Sequence, residues 1–194
     1  GMVRPENIAD FSGRIYKEAN RLGNLVADII QLSRLDEQQD AVVSMESVEL
    51  DELAKDVVNN LRDHAEKKNI SLDYCGIPIN IQGVRHVLYE MLYNIADNAV
   101  RYTNPGGHIH IYVGRKGDRP FYRVEDDGIG IPDDKMEELN AYNAKDSEAL
   151  YRVQTQSQGD RTHLGVINVI SRLKLYYQEN AEVIYTRNKT GGTT

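Results

Sequence analysis

One cysteine, Cys75, and no tryptophan occur in the 194 residues of this chain. A single thiol can form neither an internal disulfide nor a thiolate metal cluster, and it fits a reducing, cytoplasmic setting. No apolar run approaches the roughly 20 residues that a membrane-spanning helix needs. The opening Gly1-Met2-Val3-Arg4-Pro5 has no apolar signal-peptide core. Gly1 before Met2 looks like a tag remnant, so the expectation is a cut-out of a larger protein whose membrane segment could lie elsewhere. Basic residues are outnumbered, 23 Lys and Arg against 30 Asp and Glu, for a net charge of −7. That sign makes the chain a poor binder of the nucleic-acid backbone, and no nucleic-acid partner is expected.

What is present is a globular mixture, 40% hydrophobic and 27% charged, long enough to bury a core unaided. Residues 5–37 read as one long helix, with Ile8, Ile15, Leu22 and Ile29 seven apart and Phe11, Ala19 and Val26 beside them. Such a stripe is buried either on the rest of the domain or in a helical dimer seam, and the narrow stripe favours the seam. The polar run 36–43 reads as a linker. Met45–Leu50 alternates like a strand, and Asp51 is placed to cap a helix reaching about Lys68, with Leu53, Val57, Leu61 and Ala65 inward. Ile70–Tyr74 is a candidate strand and Gly76-Ile77-Pro78 a turn. A helix is predicted over 84–102, strands over 109–115 and 121–126, weak helices over 135–139 and 147–153, a helix over 166–177 and a strand over 181–187.

Three constellations carry chemistry. On the helix 84–102, Val84, Leu88, Met91, Ile95 and Ala99 share a face, and Glu90, Asn94, Asn98 and Arg101 form a second stripe beside it. Asparagine is a poor helix former, so two on one line with an arginine suggest a polar ligand as readily as a solvated face. An amide oxygen suits magnesium and a guanidinium suits phosphate. Val124-Glu125-Asp126-Asp127-Gly128-Ile129-Gly130-Ile131-Pro132 follows a strand. Its glycines allow close approach of a ligand, and an Asp at the strand end can accept from an exocyclic amine. Thr162-His163-Leu164-Gly165-Val166-Ile167-Asn168-Val169 opens a helix, where unpaired N–H groups favour phosphate.

In order and spacing these segments resemble the catalytic ATP-binding domain of sensor histidine kinases, in the wider Bergerat-fold group that includes gyrase, MutL and the large ATP-dependent chaperones. Asn94-Ile-Ala-Asp-Asn98-Ala-Val-Arg101-Tyr102-Thr103 resembles the family's N-box, and Asp126-Asp-Gly128-Ile-Gly130 its adenine-binding Asp-x-Gly-x-Gly box. His163-Leu-Gly165-Val-Ile-Asn168-Val resembles the second glycine box in a variant with His for the first glycine, and Gly191-Gly192-Thr193 the Gly-Thr box. The helix ending Leu32-Ser33-Arg34-Leu35-Asp36 resembles the second helix of the dimerisation and phosphotransfer hairpin.

The resemblance implies an α+β fold: a two-layer α/β sandwich of mixed sheet with helices on one face, preceded by the long N-terminal helix. Residues 1–40 would be the partial dimerisation segment and 41–194 the catalytic domain. Asp126 would accept from the adenine amino group, with Gly128 and Gly130 shaping that floor. Asn98 would ligate magnesium, Asn94 would line the same site, Arg101 would contact phosphate and Tyr102 would pack near the nucleotide. The backbone of Leu164, Gly165 and Val166 would cradle the phosphates, and Thr193 would support the adenine end. Hydrolysing relatives carry a Glu base where Asn94 stands, and an amide cannot serve as one. The implied activity is therefore ATP-dependent phosphorylation of a histidine, for relay to a response regulator, by a homodimeric and membrane-anchored sensor kinase.

The family's phosphoacceptor lies on the first hairpin helix, and none of His64, His86, His108, His110 and His163 fits that role, so no self-phosphorylation is expected. His108 and His110 share a strand face and could bind a metal, although solvent exposure is the plainer expectation. The stretch 133–163 lacks the usual lid phenylalanine, since only Phe11 and Phe121 occur. A non-catalytic nucleotide-binding and dimerisation module, an anti-sigma-type serine kinase and a gyrase-type ATPase are the competing readings. The first draws on the odd lid, the second is opposed by the N-terminal helix, and the third is opposed by Asn94.

Overall fold

The computed structural model describes residues 45–145 and 164–194. The expected helix over 5–37 with its dimer seam, the linker 36–43, the weak helix over 147–153 and His163 lie outside the described residues.

The chain enters through β1 (Glu46–Glu49), which pairs antiparallel with β3 (Asn80–Gly83), Glu46 facing Gly83 and Glu49 facing Asn80. Between them run α1 (Leu50–Lys67) and β2 (Ser71–Gly76). Leu50, Leu53, Val57, Leu61 and Ala65 recur every three or four residues on α1, and all are buried. Each large aliphatic among them contributes about 2 kcal/mol by leaving water. Asp51 is not the helix cap. It sits in the first turn, 2% exposed, and its carboxylate accepts from Lys55 Nζ at 2.6 Å and Tyr74 Oη at 2.6 Å. Those two donors hold its pKa below the ordinary carboxylate value and pin β2 to α1. The helix ends because Asn69 adopts φ +54°, a left-handed conformation that asparagine tolerates better than most residues. Ile70 N–H then reaches back to Ala65 O at 2.9 Å and Asn69 N–H to Glu66 O at 2.9 Å.

A second sheet has the order β2-β4-β5, with β4 at His108–Lys116 and β5 at Arg119–Asp126. β2 runs parallel to β4, and β4 is antiparallel to β5, with Ile111 opposite Val124. Ile109, Ile111 and Val113 face the core, and His108, His110 and Tyr112 take the other side. Helix α2 (Arg85–Tyr102) covers the core face beside α1, burying Leu88, Leu92, Ala96, Ala99 and Val100 in the same cluster as the strand residues. This is the two-layer α+β arrangement expected from the sequence, with a mixed sheet and helices on one face. The turn expected at Gly76-Ile77-Pro78 starts one residue late: Gly76 still pairs with Val113 in β2. β3 had no counterpart in the sequence reading.

Beyond β5 come α3 (Asp133–Ala141), a 3-10 turn (Tyr142–Ala144) and α4 (Leu164–Tyr177). Val166 and Ile170 of α4 pack with Leu139 and Tyr142, and Val169 packs with Val87 and Met91 of α2 and with Val84 just before it. The expected strand over 181–187 is reduced to one bridge, Arg187 to Thr193. Side chains take the place of a neighbouring strand. Asn140 Oδ1 accepts from Tyr185 N–H and its Nδ2 donates to Tyr185 O, both at 2.8 Å. Asn143 does the same for Val183, at 3.2 and 2.5 Å. Each amide therefore mimics a backbone peptide.

Candidate nucleotide site

The site is built where β5 ends, α2 ends and the C-terminal hairpin returns. Asp126, the last residue of β5, is half-buried, and its Oδ1 accepts from Gly128 N–H at 2.9 Å. Burial pushes its carboxyl up from the ordinary value, while the N–H groups of Gly128 and Thr193 pull the other way. Its backbone is fastened as well: Asp126 N–H donates to Thr193 O at 2.9 Å, and Asn188 Nδ2 donates to Asp126 O at 2.6 Å. Asp127 turns outward and binds His108 through both the backbone N–H, at 2.7 Å, and the ring Nδ1, at 3.0 Å. The hydrogen bonds from His108 hold the Asp127 carboxyl below its ordinary value.

The glycines of this loop are there because other backbone comes too close for a side chain. A Cβ on Gly128 would stand 2.6 Å from Tyr102 O and 3.0 Å from Thr103 Cα. Gly130 has φ +68°, and a Cβ on it would stand 2.5 Å from Gly191 O. Gly192 packs flat on the backbone of Asp126, and any Cβ there would run into the Asp126 carbonyl oxygen. The hairpin 186–194 is closed by reciprocal bonds between Thr186 and Thr194 at 2.8 Å. Arg187 Nη2 ties it to the loop through Ile131 O, at 3.0 Å, and Asp133, at 2.8 Å.

The structure thus brings the end of the N-box helix, Asp126, Gly128, Gly130 and Thr193 together. Ile129 N–H reaches Tyr102 O at 3.4 Å, and Tyr102 itself is 39% exposed at the mouth of this region. Asn94 and Asn98 are half-buried on α2, and among the described residues neither amide is committed to a hydrogen bond. Arg101 is largely exposed and paired with Asp97 at 3.1 Å. That surface pair is worth little and leaves the guanidinium available. Leu164, Gly165 and Val166 form the first turn of α4, where helical N–H groups have no intrahelical acceptor. The Val166 side chain is buried, so only its backbone could serve a ligand. His64 and His108 are exposed and His110 is partly exposed, the plainer expectation for them, and His86 is exposed as well. Among the described residues no group of three His, Cys, Asp or Glu could hold a metal.

Three supports escaped the sequence reading. Lys68 Nζ donates to Val100 O, Arg101 O and Thr103 O at 2.7, 2.9 and 3.0 Å, capping α2 with a positive charge. Glu90, which lies on the Asn94 and Asn98 stripe, pairs with Arg172 and so ties α2 to α4. Asn188 pins the hairpin to Asp126. None has a local signal, because each joins residues distant in the chain.

A half-buried carboxylate at a strand end, closed by glycine loops and flanked by a helix with amide side chains, defines a nucleotide-binding α/β sandwich. The sequence profile described as histidine kinase-, DNA gyrase B- and HSP90-like ATPase matches residues 83–194. The chain belongs to this family. The sensor protein SphS of Synechococcus elongatus is 33% identical over 121 residues, which cover 62% of this chain and 29% of that protein. The sensor protein kinase PmrB of Pseudomonas aeruginosa is 30% identical over 165 residues, 84% of this chain and 33% of that protein. The chain therefore spans a third or less of the length of these relatives. Histidine kinase ThkA, solved in complex with response regulator protein TrrA, has the same fold, with a TM-score of 0.67 at 22% identity over 99% of this chain and 51% of that one.

Proposed function

We propose that this chain is the catalytic, ATP-binding part of a two-component sensor histidine kinase, donating the γ-phosphoryl group of magnesium ATP to a histidine on the kinase's acceptor hairpin. The observation that carries this reading is the convergence of Asp126, Gly128 and Gly192 on the end of the helix that bears Asn94 and Asn98. The family membership and the sensor-kinase relatives support the same reading.

Asp126 accepts a hydrogen bond from the adenine amine, and Thr193 braces that carboxylate from behind. Tyr102 lies against the nucleotide. Two uncommitted amides fit a hard cation whose other ligands are phosphate oxygens and water, so Asn98 would hold magnesium with Asn94 beside it. Bound magnesium neutralises charge on the phosphate oxygens. Arg101 and the N–H groups of Leu164, Gly165 and Val166 orient the phosphates. No base stands at Asn94, so water is not activated there and the site holds ATP for in-line transfer. In the whole kinase the phosphoryl group would pass to a response regulator, a partner supported by the ThkA complex. The domain would lie in the cytoplasm of a membrane-anchored homodimer joined through the segment 1–40.

Calorimetric titration with ATP and magnesium tests this. Asp126→Asn should weaken adenine nucleotides by tenfold or more, about 1.4 kcal/mol, and Asn98→Ala should chiefly flatten the magnesium dependence. Adding radiolabelled ATP and the acceptor hairpin should then place acid-labile label on the hairpin. Absence of ATP binding, or binding indifferent to both substitutions, would overturn the reading.

A further inference from the structure

We infer that the side of the β2-β4-β5 sheet turned away from α1 and α2 docks on the same side of a second copy of this chain, basic end against acidic end across a two-fold axis. The inference does not depend on the nucleotide reading above. At the tip of the β4–β5 hairpin Lys116 stands directly opposite Arg119. Both are exposed, and neither has an ion-pair partner among the described residues. Like charges directly opposite one another on a sheet destabilise it, so the fold itself gains nothing from this pair. Toward the other end of the same face Asp73, His110 and Glu125 lie side by side on the three strands. The Asp73 carboxylate is 3.6 Å from His110 Nδ1, and Glu125 accepts from Arg123 Nε at 3.3 Å. Surface pairs of this kind are weak and leave both carboxylates open to a second cation.

Between the two charged ends the face is flat and largely apolar. Tyr112 sits between Cys75 and Arg123 in the register, and the Arg123 guanidinium lies 4.6 Å from its ring centre. Gly114 leaves room for the Phe121 ring to lie across the sheet, since a Cβ there would stand 2.7 Å from Phe121 Cζ. A two-fold axis crossing the strands at this level sets Lys116 and Arg119 of each copy over Asp73 and Glu125 of the other. The surface is thus self-complementary, as a symmetric contact requires. Each strand then overlies its own counterpart, about 10 Å away, and the two Cys75 side chains come within reach of one short cross-linker. Three strands of this length cover about 400 Å² a side, too little for a permanent dimer and suited to a transient one.

The test uses the full chain and its single cysteine. A short bismaleimide should join two copies through Cys75, and Cys75→Ser should give no product. Lys116→Glu with Arg119→Glu should cut the yield about tenfold, leaving Tm and ATP affinity unchanged because the tip lies at the far end of β5 from Asp126. Asp73→Lys with Glu125→Lys should cut it likewise. Mixing the two double variants should restore it, since each acidic tip then meets a basic counterpart. Rising salt should lower the wild-type yield, a readout that stands even if a double variant unfolds. Absence of a wild-type product, a yield indifferent to the charge reversals or to salt, or no rescue in the mixture of folded variants would overturn the inference. Pairing through the segment 1–40 contains none of these charges and cannot mimic the rescue.

Discussion

Gly192 lies directly against the backbone of Asp126, with no room for even one methyl group between them. The contact joins the last box of the sequence to Asp126, the carboxylate proposed to take the adenine amine. It also explains why a glycine is needed there although the conformation of Gly192 is not the left-handed kind. Gly192→Ala should push the hairpin off β5, costing about 3 kcal/mol of stability by overpacking and abolishing ATP binding. Chemical denaturation and calorimetry of one preparation check both effects. An alanine variant with wild-type stability would show that the hairpin does not rest on Asp126.

In its proposed role Asp126 accepts from an amine more strongly as the carboxylate than as the neutral acid, and burial raises its pKa. ATP affinity should therefore begin to fall at a higher pH than an ordinary surface carboxylate would dictate, and continue falling as the pH drops. The sign for folding is the opposite of the usual Asp case: protonating Asp126 favours the folded free protein at low pH. Titrations at several pH values should place the midpoint above the ordinary value of 3.8, and Asp126→Asn should remove that pH dependence.

Lys68 carries three carbonyls at the end of α2 on one ammonium group. Lys68→Met should cost about 2 kcal/mol, since hydrogen bonds to a charged donor are the stronger kind. It should also weaken ATP binding without any contact to the nucleotide, because Tyr102 and Thr103 are held by that end. Denaturant midpoints and nucleotide affinity should fall together.

Asn140 and Asn143 supply the pairing that segment 183–185 lacks in the sheet. Asn143→Asp replaces a donor facing Val183 O by an acceptor and should destabilise by about 2 kcal/mol. Hydrogen exchange at the Val183 and Tyr185 amides should quicken markedly in the Asn140→Ala, Asn143→Ala double variant. Unchanged exchange would mean another partner protects them.

Much of this molecule can be read along the chain. The stripe Leu53, Val57, Leu61, Ala65 and the alternation Ile109, Ile111, Val113 announce α1 and β4, because periodic burial is a local property of helix and strand. The boxes at Asn94 to Thr103, Asp126 to Gly130 and Gly191 to Thr193 are contiguous, so their residue types and spacing were visible before their meeting was. Asp51 misled, since an acidic residue at a helix start is ordinarily a cap. Only the fold shows that Tyr74, twenty-three positions away, draws it inward.

Local pattern announced most of the elements and the boxes that point to a nucleotide, but not β3, and it announced a strand over 181–187 that is reduced to one bridge. The packing decided everything that holds the site in shape: Lys68 on the end of α2, Arg172 on Glu90, Asn188 on Asp126, and the glycines that let three backbones touch. These are pairwise contacts across long stretches of chain. No period or spacing encodes them, because they come into being only when the layers close and each buried polar group must find a partner.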